Sequence, residues 1–200
     1  MTYITENLNN LIAHDKSLAK YELFDLNESY DSSINFEIII VHSDYNNKLN
    51  ESLLNGYLNA LGAKKYHGNI AHVKIPGGAF ELPLLTGKII KKYQPKICLA
   101  IGCIVKGDTK HYDFLSTTVT NAISNLSMQT KIPILNGVLT IETIQQAVDR
   151  VGAKLNKGLE YAMVTLETLE FLNRHDSEYE IQATTNCARI CCEDIIPNEN

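Results

Sequence analysis

Residues 100–114, which read AIGCIVKGDTKHYDF, decide the fold of this chain. The stretch opens inside an apolar run over 97–101 that predicts a buried strand. Gly102 and Gly107 bracket a loop, and a helical spacing of apolar residues begins at His111. A strand, a glycine-containing loop and a helix in this order are typical of proteins built on a parallel sheet.

The predicted start of the helix carries groups suited to an anion. Asp108 and Thr109 are of the types that cap helix N-termini. Free N–H groups and the positive end of a helix favour an anion there, commonly a phosphate. His111 is a candidate proton carrier, because imidazole changes charge near neutral pH. These residues alone also fit a loop that only caps a helix, with a surface histidine beside it.

The flanking sequence alternates strands and helices. Besides the strand at 97–101, β-branched and apolar runs predict three more strands, at 36–41, 69–75 and 132–139. Apolar residues at helical spacing predict helices that end near 61, 92, 128, 150 and 173, the fourth capped by Thr140. This alternation predicts βαβ units and an α/β fold with a central four-stranded parallel sheet covered on both faces.

Distinctive residues follow several of the predicted strands. Tyr45 and Asn46 follow the first strand, residues 77–81 the second and residues 103–111 the third, and Asn136 is predicted near the end of the fourth. In open parallel sheets, ligands bind outside the carboxyl ends of the strands. The sequence therefore predicts one binding site at that rim.

Composition narrows the function classes. A net charge of −5 with interspersed signs argues against a nucleic-acid surface, and no apolar run is long enough to predict a membrane span. The polar N-terminus lacks a signal-peptide layout, and Cys187, Cys191 and Cys192 match no zinc motif. A cytoplasmic location with reduced thiols is predicted, and no metal site.

The two ends of the chain lack the strong patterning of its middle. Residues 1–35 are interpreted as an N-terminal extension, with a weak helical pattern around Leu8, Leu11, Ile12 and Leu18, that packs on a neighbour or stays loose. Residues 36–173 form the predicted central domain, and residues 174–200 a flexible C-terminal tail.

Three motifs together resemble a known family. PGGAFELP at 76–83, GCIVKGDTKHYD at 102–113 and GVLT at 137–140 are followed by a helix that ends at Arg150. Their order and spacing resemble 6,7-dimethyl-8-ribityllumazine synthases over about residues 36–173. The GDTKHYD block is the most specific part of the resemblance.

The resemblance implies a transferase of riboflavin biosynthesis. It would condense 5-amino-6-(D-ribitylamino)uracil with 3,4-dihydroxy-2-butanone 4-phosphate to the lumazine, phosphate and water, the penultimate step. It implies a flavodoxin-like three-layer α/β/α sandwich and no metal or organic cofactor. The expected partners are the small-molecule substrates and further copies of the chain, in pentamers or multiples up to sixty-subunit shells, with active sites between neighbours.

Residue roles follow from the same resemblance. His111 matches the family's proton-transfer histidine, and Arg150, Asp108 and Thr109 match positions that bind the substrate phosphate. The remaining matched positions bind the ribitylaminouracil: Tyr45, Ala79, Phe80, Glu81, Cys103, Ile104, Val105 and Asn136. Tyr45 stands where relatives usually have Phe or Trp, and Asn136 where many have Phe.

Two other functions fit the same fold. One is a non-catalytic carrier of lumazine or flavin, which would need Tyr45 and Glu81 but could dispense with His111 and Arg150. The other is a shell-forming scaffold, with the extended ends as attachment points. The presence of His111 and Arg150 favours the enzyme. The oligomer size and the role of Lys157 stay open.

Overall fold

The computed structural model describes residues 11–28 and 33–193, with only the helical course given for 176–193. The chain divides into two units, Met1–Thr165 and Leu166–Asn200. The strands are β1 Glu22–Asp25, β2 Ile38–Ser43, β3 Asn69–Ile75, β4 Ile97–Val105 and β5 Ile134–Ile141. The helices are α1 Asn47–Ala63, α2 Leu82–Tyr93, α3 His111–Thr130, α4 Ile144–Val151 and α5 Lys157–Glu193, and Lys16–Leu18 is a short 3-10 helix. The second unit continues α5.

The strands of the described chain form one parallel sheet in the order β1-β3-β2-β4-β5. The last four strands alone have the flavodoxin-like order 2-1-3-4, so the switch point lies between β2 and β4. The carboxyl ends of these two strands therefore flank the place where a ligand is expected.

Strands β2 and β4 lie in the middle of the sheet and form the centre of the core. Every residue of β2 is buried, and Ile38, Ile39, Ile40 and Val41 have no exposed surface. A strand that is covered on both faces needs such a continuous apolar run. The apolar runs at 36–41 and 97–101 therefore predict buried strands. The α/β sandwich predicted from the resemblance is confirmed.

The sheet has one strand more than predicted. β1, with the sequence ELFD, pairs with β3 at the sheet edge, Glu22 opposite Asn69 and Asp25 opposite His72. The predicted four-stranded sheet is therefore one strand short. A run of four residues with an acid at each end carries no strand pattern of its own, so its pairing with β3 decides its conformation.

Residues 11–15 are not helical, so the helix predicted around Leu11 and Ile12 is wrong there; Leu8 lies outside the described residues. The main chain instead runs along α1, held by polar side chains of that helix. Ile12 N donates to Ser52 Oγ at 2.9 Å, and Asn55 Nδ2 donates to Ile12 O at 3.0 Å. Backbone–side-chain pairing replaces helical hydrogen bonds in this segment.

Three helix ends also differ from the predictions. Thr143, not Thr140, caps α4, with its hydroxyl accepting from Gln146 N at 3.3 Å. The N-cap residue of α3 is Lys110, one residue after the predicted cap types. α5 continues to Glu193 rather than ending near residue 173.

Candidate active site

The loops after β2 and β3 are tied together by their backbones. Asp44 N donates to Ile75 O at 3.0 Å, and Tyr45 N donates to Gly77 O at 2.9 Å. A Cβ atom built on Gly78 would lie 3.7 Å from Tyr45 Cβ, so the tyrosine stands directly beside the next loop. These contacts join two stretches that the sequence predicted at the same rim.

The 76–81 loop is closed by its own glutamate. Gly77 has a φ of 87°, and a Cβ there would come within 2.7 Å of Glu81 Oε2. The same oxygen accepts a hydrogen bond from Gly78 N at 2.8 Å. Glycine is required at 77 because an L side chain would be strained there and would displace the carboxylate.

Two aromatic side chains project from these loops. Tyr45 is 65% exposed and Phe80 is 63% exposed, whereas Ala79 between the loop and the core is buried. Exposed aromatic rings beside a glycine loop give flat apolar surface on which a planar ring can stack. Glu81 is exposed and offers its second carboxylate oxygen to hydroxyl groups.

Two asparagines fix this region: Asn46, which the sequence places at the rim without a binding role, and Asn50, which it does not single out. Asn46 has a φ of 61°, and its Nδ2 donates to Cys103 O at 2.9 Å. Asn50 Nδ2 donates to Tyr45 O at 3.0 Å and to Ser43 O at 2.7 Å. An asparagine directly after a strand is a signal for the left-handed conformation, but its partner across the switch point follows only from the fold.

The end of β4 supplies backbone rather than reactive side chains. Cys103 and Ile104 are buried and Val105 is half-buried. Burial raises the pKa of the Cys103 thiol to about 12, so the sulfur stays protonated and unreactive at neutral pH. A Cβ on Gly102 would lie 2.9 Å from Leu82 Cδ1, so glycine lets the start of α2 pack on the strand.

The loop between β4 and α3, residues 106–110, is open. All five of its residues are exposed, and nothing lies within 4 Å of a Cβ built on Gly107. In the part of the chain that the structure describes, the backbone N–H groups of 107–110 have no acceptor. These free donors precede α3, where the helix dipole adds positive potential, so the loop is suited to an anion.

His111 begins α3 at this loop. It is exposed, and its backbone N donates to Thr109 Oγ1 at 3.3 Å. Asp108 and Thr109 are exposed directly before it. Two of the predicted residues thus lie in the loop with free N–H groups and His111 follows it directly, which is the geometry of an anion site with a proton carrier.

Arg150 lies in the last turn of α4 and is half-buried. Its Nη1 donates to Gln146 O at 3.0 Å. Among the described residues it makes no direct hydrogen bond or ion pair with the 106–110 loop. The structure therefore does not bring the predicted phosphate ligands into contact with one another in the single chain.

Asn136 is not at the rim. It is the third residue of β5 and lies opposite Ala100, whereas Leu139 lies opposite Cys103. Its Oδ1 accepts from Val138 N at 3.1 Å. The prediction that it lies near the end of its strand, with the other site residues, is wrong, because the strand continues to Ile141.

The described residues contain no group of three or more His, Cys, Asp or Glu side chains that could hold a metal ion. No described helix is both long and apolar enough to cross a lipid bilayer.

Fold and rim together define a class of protein. The chain is a flavodoxin-like α/β protein with an open N–H loop and an exposed histidine at its switch point. Exposed aromatic and carboxylate groups on the neighbouring loops complete the rim.

Comparison with known proteins gives the family. The model of the 6,7-dimethyl-8-ribityllumazine synthase family matches residues 35–173. A protein of that name from Thermococcus gammatolerans is 36% identical over 137 residues, covering 68% of this chain and 86% of the relative. Another, from Buchnera aphidicola subsp. Baizongia pistaciae, is 39% identical over 141 residues, covering 68% of this chain and 87% of the relative. The chain belongs to the 6,7-dimethyl-8-ribityllumazine synthase family.

Proposed function

We propose that this chain is an enzyme that condenses 5-amino-6-(D-ribitylamino)uracil with 3,4-dihydroxy-2-butanone 4-phosphate, with release of phosphate and water. The family membership supports the reaction. The observation that carries it in this chain is the open 106–110 loop, where the N–H groups of 107–110 have no acceptor among the described residues and precede an exposed histidine. No observation favours a carrier without catalysis.

The phosphate of the four-carbon substrate binds at the 106–110 loop. Asp108 contributes its backbone N–H, because its carboxylate would repel the anion, and Thr109 adds a hydroxyl donor. Arg150 supplies a planar guanidinium that can make two charge-assisted hydrogen bonds to phosphate oxygens. A helix N-terminus and a bidentate fork then hold the only strongly charged group of that substrate.

The ribitylaminouracil binds at the loops after β2, β3 and β4. Tyr45 stacks on the pyrimidine, and Cys103, Ile104 and Val105 present their backbone groups to its edge. Ala79, Phe80 and Glu81 bind the ribityl chain, with the glutamate accepting from its hydroxyl groups. The backbone ties between the first two loops support a surface that is formed before the ligand arrives.

His111 moves protons during the reaction. An amine must attack a ketone, and water and phosphate must leave, so protons are transferred at each stage. Imidazole can accept and donate them near neutral pH. Holding both substrates together supplies a further part of the rate, because it turns an encounter of two molecules into a reaction within one complex.

We also propose that the active site needs a neighbouring copy of the chain. Asn136 belongs to an edge strand and lies away from the rim, so its predicted contact with the pyrimidine requires a second chain. A pentamer or a multiple of pentamers meets this need. The free thiols of Cys98 and Cys103 fit the cytoplasmic location that we propose.

The test is an assay of the purified full chain with both substrates. Lumazine absorbance and phosphate release are followed together, and the rate without enzyme is subtracted. The proposal predicts equal amounts of lumazine and phosphate, formed well above the uncatalysed rate. Tight binding of lumazine with no added rate would contradict it and identify a carrier.

A further inference from the structure

Residues 11–15, called the N-terminal segment below, are held on α1 through their main chain. Asn55 Nδ2 donates to a main-chain oxygen of the segment at 3.0 Å. Asn59 Nδ2 donates to Ala13 O at 2.8 Å, and Asn59 Oδ1 accepts from Asp15 N at 2.7 Å. Because these hydrogen bonds go to backbone atoms, they fix the course of the segment and do not depend on its side chains.

Ser52 joins the N-terminal segment to the last turn of α4. Its Oγ accepts from Ile12 N at 2.9 Å and donates to Val151 O at 3.0 Å, and its side chain is buried. Leu11 and Gly152, the chain neighbours of these two residues, form an antiparallel bridge. A hydroxyl group has one proton, so the bond accepted from Ile12 leaves that proton for Val151 O.

The end of α4 depends on such contacts. The carbonyl groups in the last turn of a helix have no partner within the helix, and Ser52 supplies the partner of Val151 O. α4 has only eight residues, and so short a helix is stabilised mainly by contacts with the rest of the protein. Arg150 directly precedes Val151 in this turn, so its main-chain position depends on the same hydrogen bond.

We propose that Ser52 is a positioning residue for Arg150: together with the N-terminal segment it fixes the end of α4, and so the place from which the guanidinium reaches the substrate phosphate. This role rests on the phosphate contact proposed for Arg150 and deepens it. It is the same whichever copy of the chain supplies the loop that binds the phosphate with Arg150. The N-terminal segment, which lies outside the family match over residues 35–173, thereby gains a part in substrate binding.

The physical reason is the narrow geometry of a paired contact. A guanidinium makes two hydrogen bonds to one phosphate only when its plane faces the oxygen atoms. Arg150 Nη1 donates to Gln146 O, a backbone atom of the same helix, at 3.0 Å, so the side chain follows the helix backbone. A displacement of the last turn therefore displaces the guanidinium as well. Fixing that turn before the substrate arrives reduces the cost of binding.

A purely structural role for Ser52 makes a different prediction. Loss of a merely stabilising contact would lower the unfolding midpoint and would not affect one substrate alone. Ser127 is the matched control, because its Oγ also bridges two backbone groups. It accepts from Ile134 N at 3.1 Å and donates to Ile132 O at 2.9 Å, at the amino end of β5.

The first experiment is steady-state kinetics of full-length variants, with each substrate varied in turn. Ser52→Ala should raise KM for the phosphate substrate about two- to tenfold, the range for one hydrogen bond, and leave KM for the ribitylaminouracil unchanged. Asn55→Ala loosens the N-terminal segment but keeps the hydroxyl, so it should raise the same KM less. The double variant should be no worse than Ser52→Ala, because both changes act through one contact. Ser127→Ala should change neither KM.

The second experiment measures the end of α4 itself by amide hydrogen exchange. Gly152 N donates to Val148 O at 2.9 Å, and its amide should exchange faster in Ser52→Ala than in wild type or Ser127→Ala. Unchanged exchange at Gly152, equal changes in both KM values, or the same KM values in Ser52→Ala and Ser127→Ala would overturn the role of Ser52. A wild-type chain without activity would instead refute the proposed function, so the two failures are distinguishable.

Discussion

The two halves of the candidate site differ in how their backbones are held. In the tied half, loops 44–46 and 76–81, the N–H groups of Asp44 and Tyr45 donate to carbonyl oxygens of the neighbouring strand and loop, and that of Gly78 donates to Glu81. In the open half, the 106–110 loop, the N–H groups of 107–110 have no acceptor within the described residues. Three N–H groups of the tied half are satisfied without a ligand, whereas the open half offers a run of four donors that a ligand can satisfy.

This difference matches the chemistry of the two substrates. A planar pyrimidine is bound by a surface of fixed shape. Backbone hydrogen bonds between the loops and the asparagine side-chain contacts maintain that shape. A phosphate is bound by donors, and donors committed to the protein are lost to it. Internal hydrogen bonds therefore hold the tied half, whereas the N–H donors of the open half stay available to the anion.

The largest effect is expected from the histidine of the open half. His111→Ala should lower kcat roughly 10- to 10⁴-fold, the range for a positioned acid–base group. The lower end is favoured because proximity supplies part of the rate. His67→Ala is the matched control, since His67 is also exposed but lies in the loop before β3, at the opposite end of the sheet. Equal rates for the two variants would remove the catalytic role.

The next prediction concerns the pH dependence of folding stability that His42, in the strand before the tied half, should cause. His42 lies in β2, before that half, and is 3% exposed. Burial, with the charges of His72 and Lys74 nearby, lowers its pKa to about 4, although Asp25 and Asp44 act in the opposite direction. The unfolded chain binds a proton near pH 6.5 and the folded chain only near pH 4. The contribution of His42 to the free energy of unfolding is therefore fully present above pH 6.5 and is lost as the pH falls towards 4.

The expected loss is about 3 kcal/mol between pH 7 and pH 4. Thermal unfolding of wild type and His42→Gln at pH 7 and at pH 4 measures it, with His42→Phe as a second variant that does not titrate. Both variants should show a smaller drop in the unfolding midpoint than wild type. The same drop in all three proteins would assign the pH dependence to other groups.

Replacement of Arg150 tests phosphate binding at the open half. Arg150→Ala should cost about 1.5–3 kcal/mol, the range for hydrogen bonds to charged groups. That is a rise of about 10- to 150-fold in KM for the phosphate substrate. Arg150→Lys should recover only part of the loss, because a point charge cannot make a paired contact. Steady-state kinetics with each substrate varied in turn decide it; equal losses for both would mean that Arg150 holds the fold or an interface.

The smallest effect is expected in the tied half. Asn46→Gly keeps the left-handed backbone, with its φ of 61°, and removes only the amide that donates to Cys103 O. One such hydrogen bond contributes about 0.5–1.5 kcal/mol, so KM for the ribitylaminouracil should rise about two- to tenfold. KM for the phosphate substrate should not change. A rise for the phosphate substrate alone would reverse the assignment of the two halves.

The sequence predicts those parts of the fold that are decided locally. The central strands and the helix from His111 follow from long apolar runs and periodic spacing. β1 does not, because its four residues become a strand only by pairing with β3. The weak helical pattern near Ile12 is likewise overridden, here by hydrogen bonds to Ser52 and Asn55.

The candidate site divides in the same way. The loop motif at 106–111 is visible in the sequence because cap residues, glycine and histidine are adjacent. The roles of Asn46 and Asn50 are not visible, because their partners are backbone carbonyl groups whose positions depend on the fold. Asn136 was misplaced because the carboxyl end of its strand is not marked by any change in apolar pattern.

Amide hydrogen exchange tests the central comparison most directly, with the full chain studied free and with inorganic phosphate. The free protein should exchange the amides of 107–110 fast and those of Tyr45 and Gly78 slowly. Phosphate should slow exchange in the 106–110 loop and leave the loops 44–46 and 76–81 unchanged. Exchange of Tyr45 and Gly78 as fast as that of 107–110, or protection by phosphate at 44–46 instead of 106–110, would contradict the account.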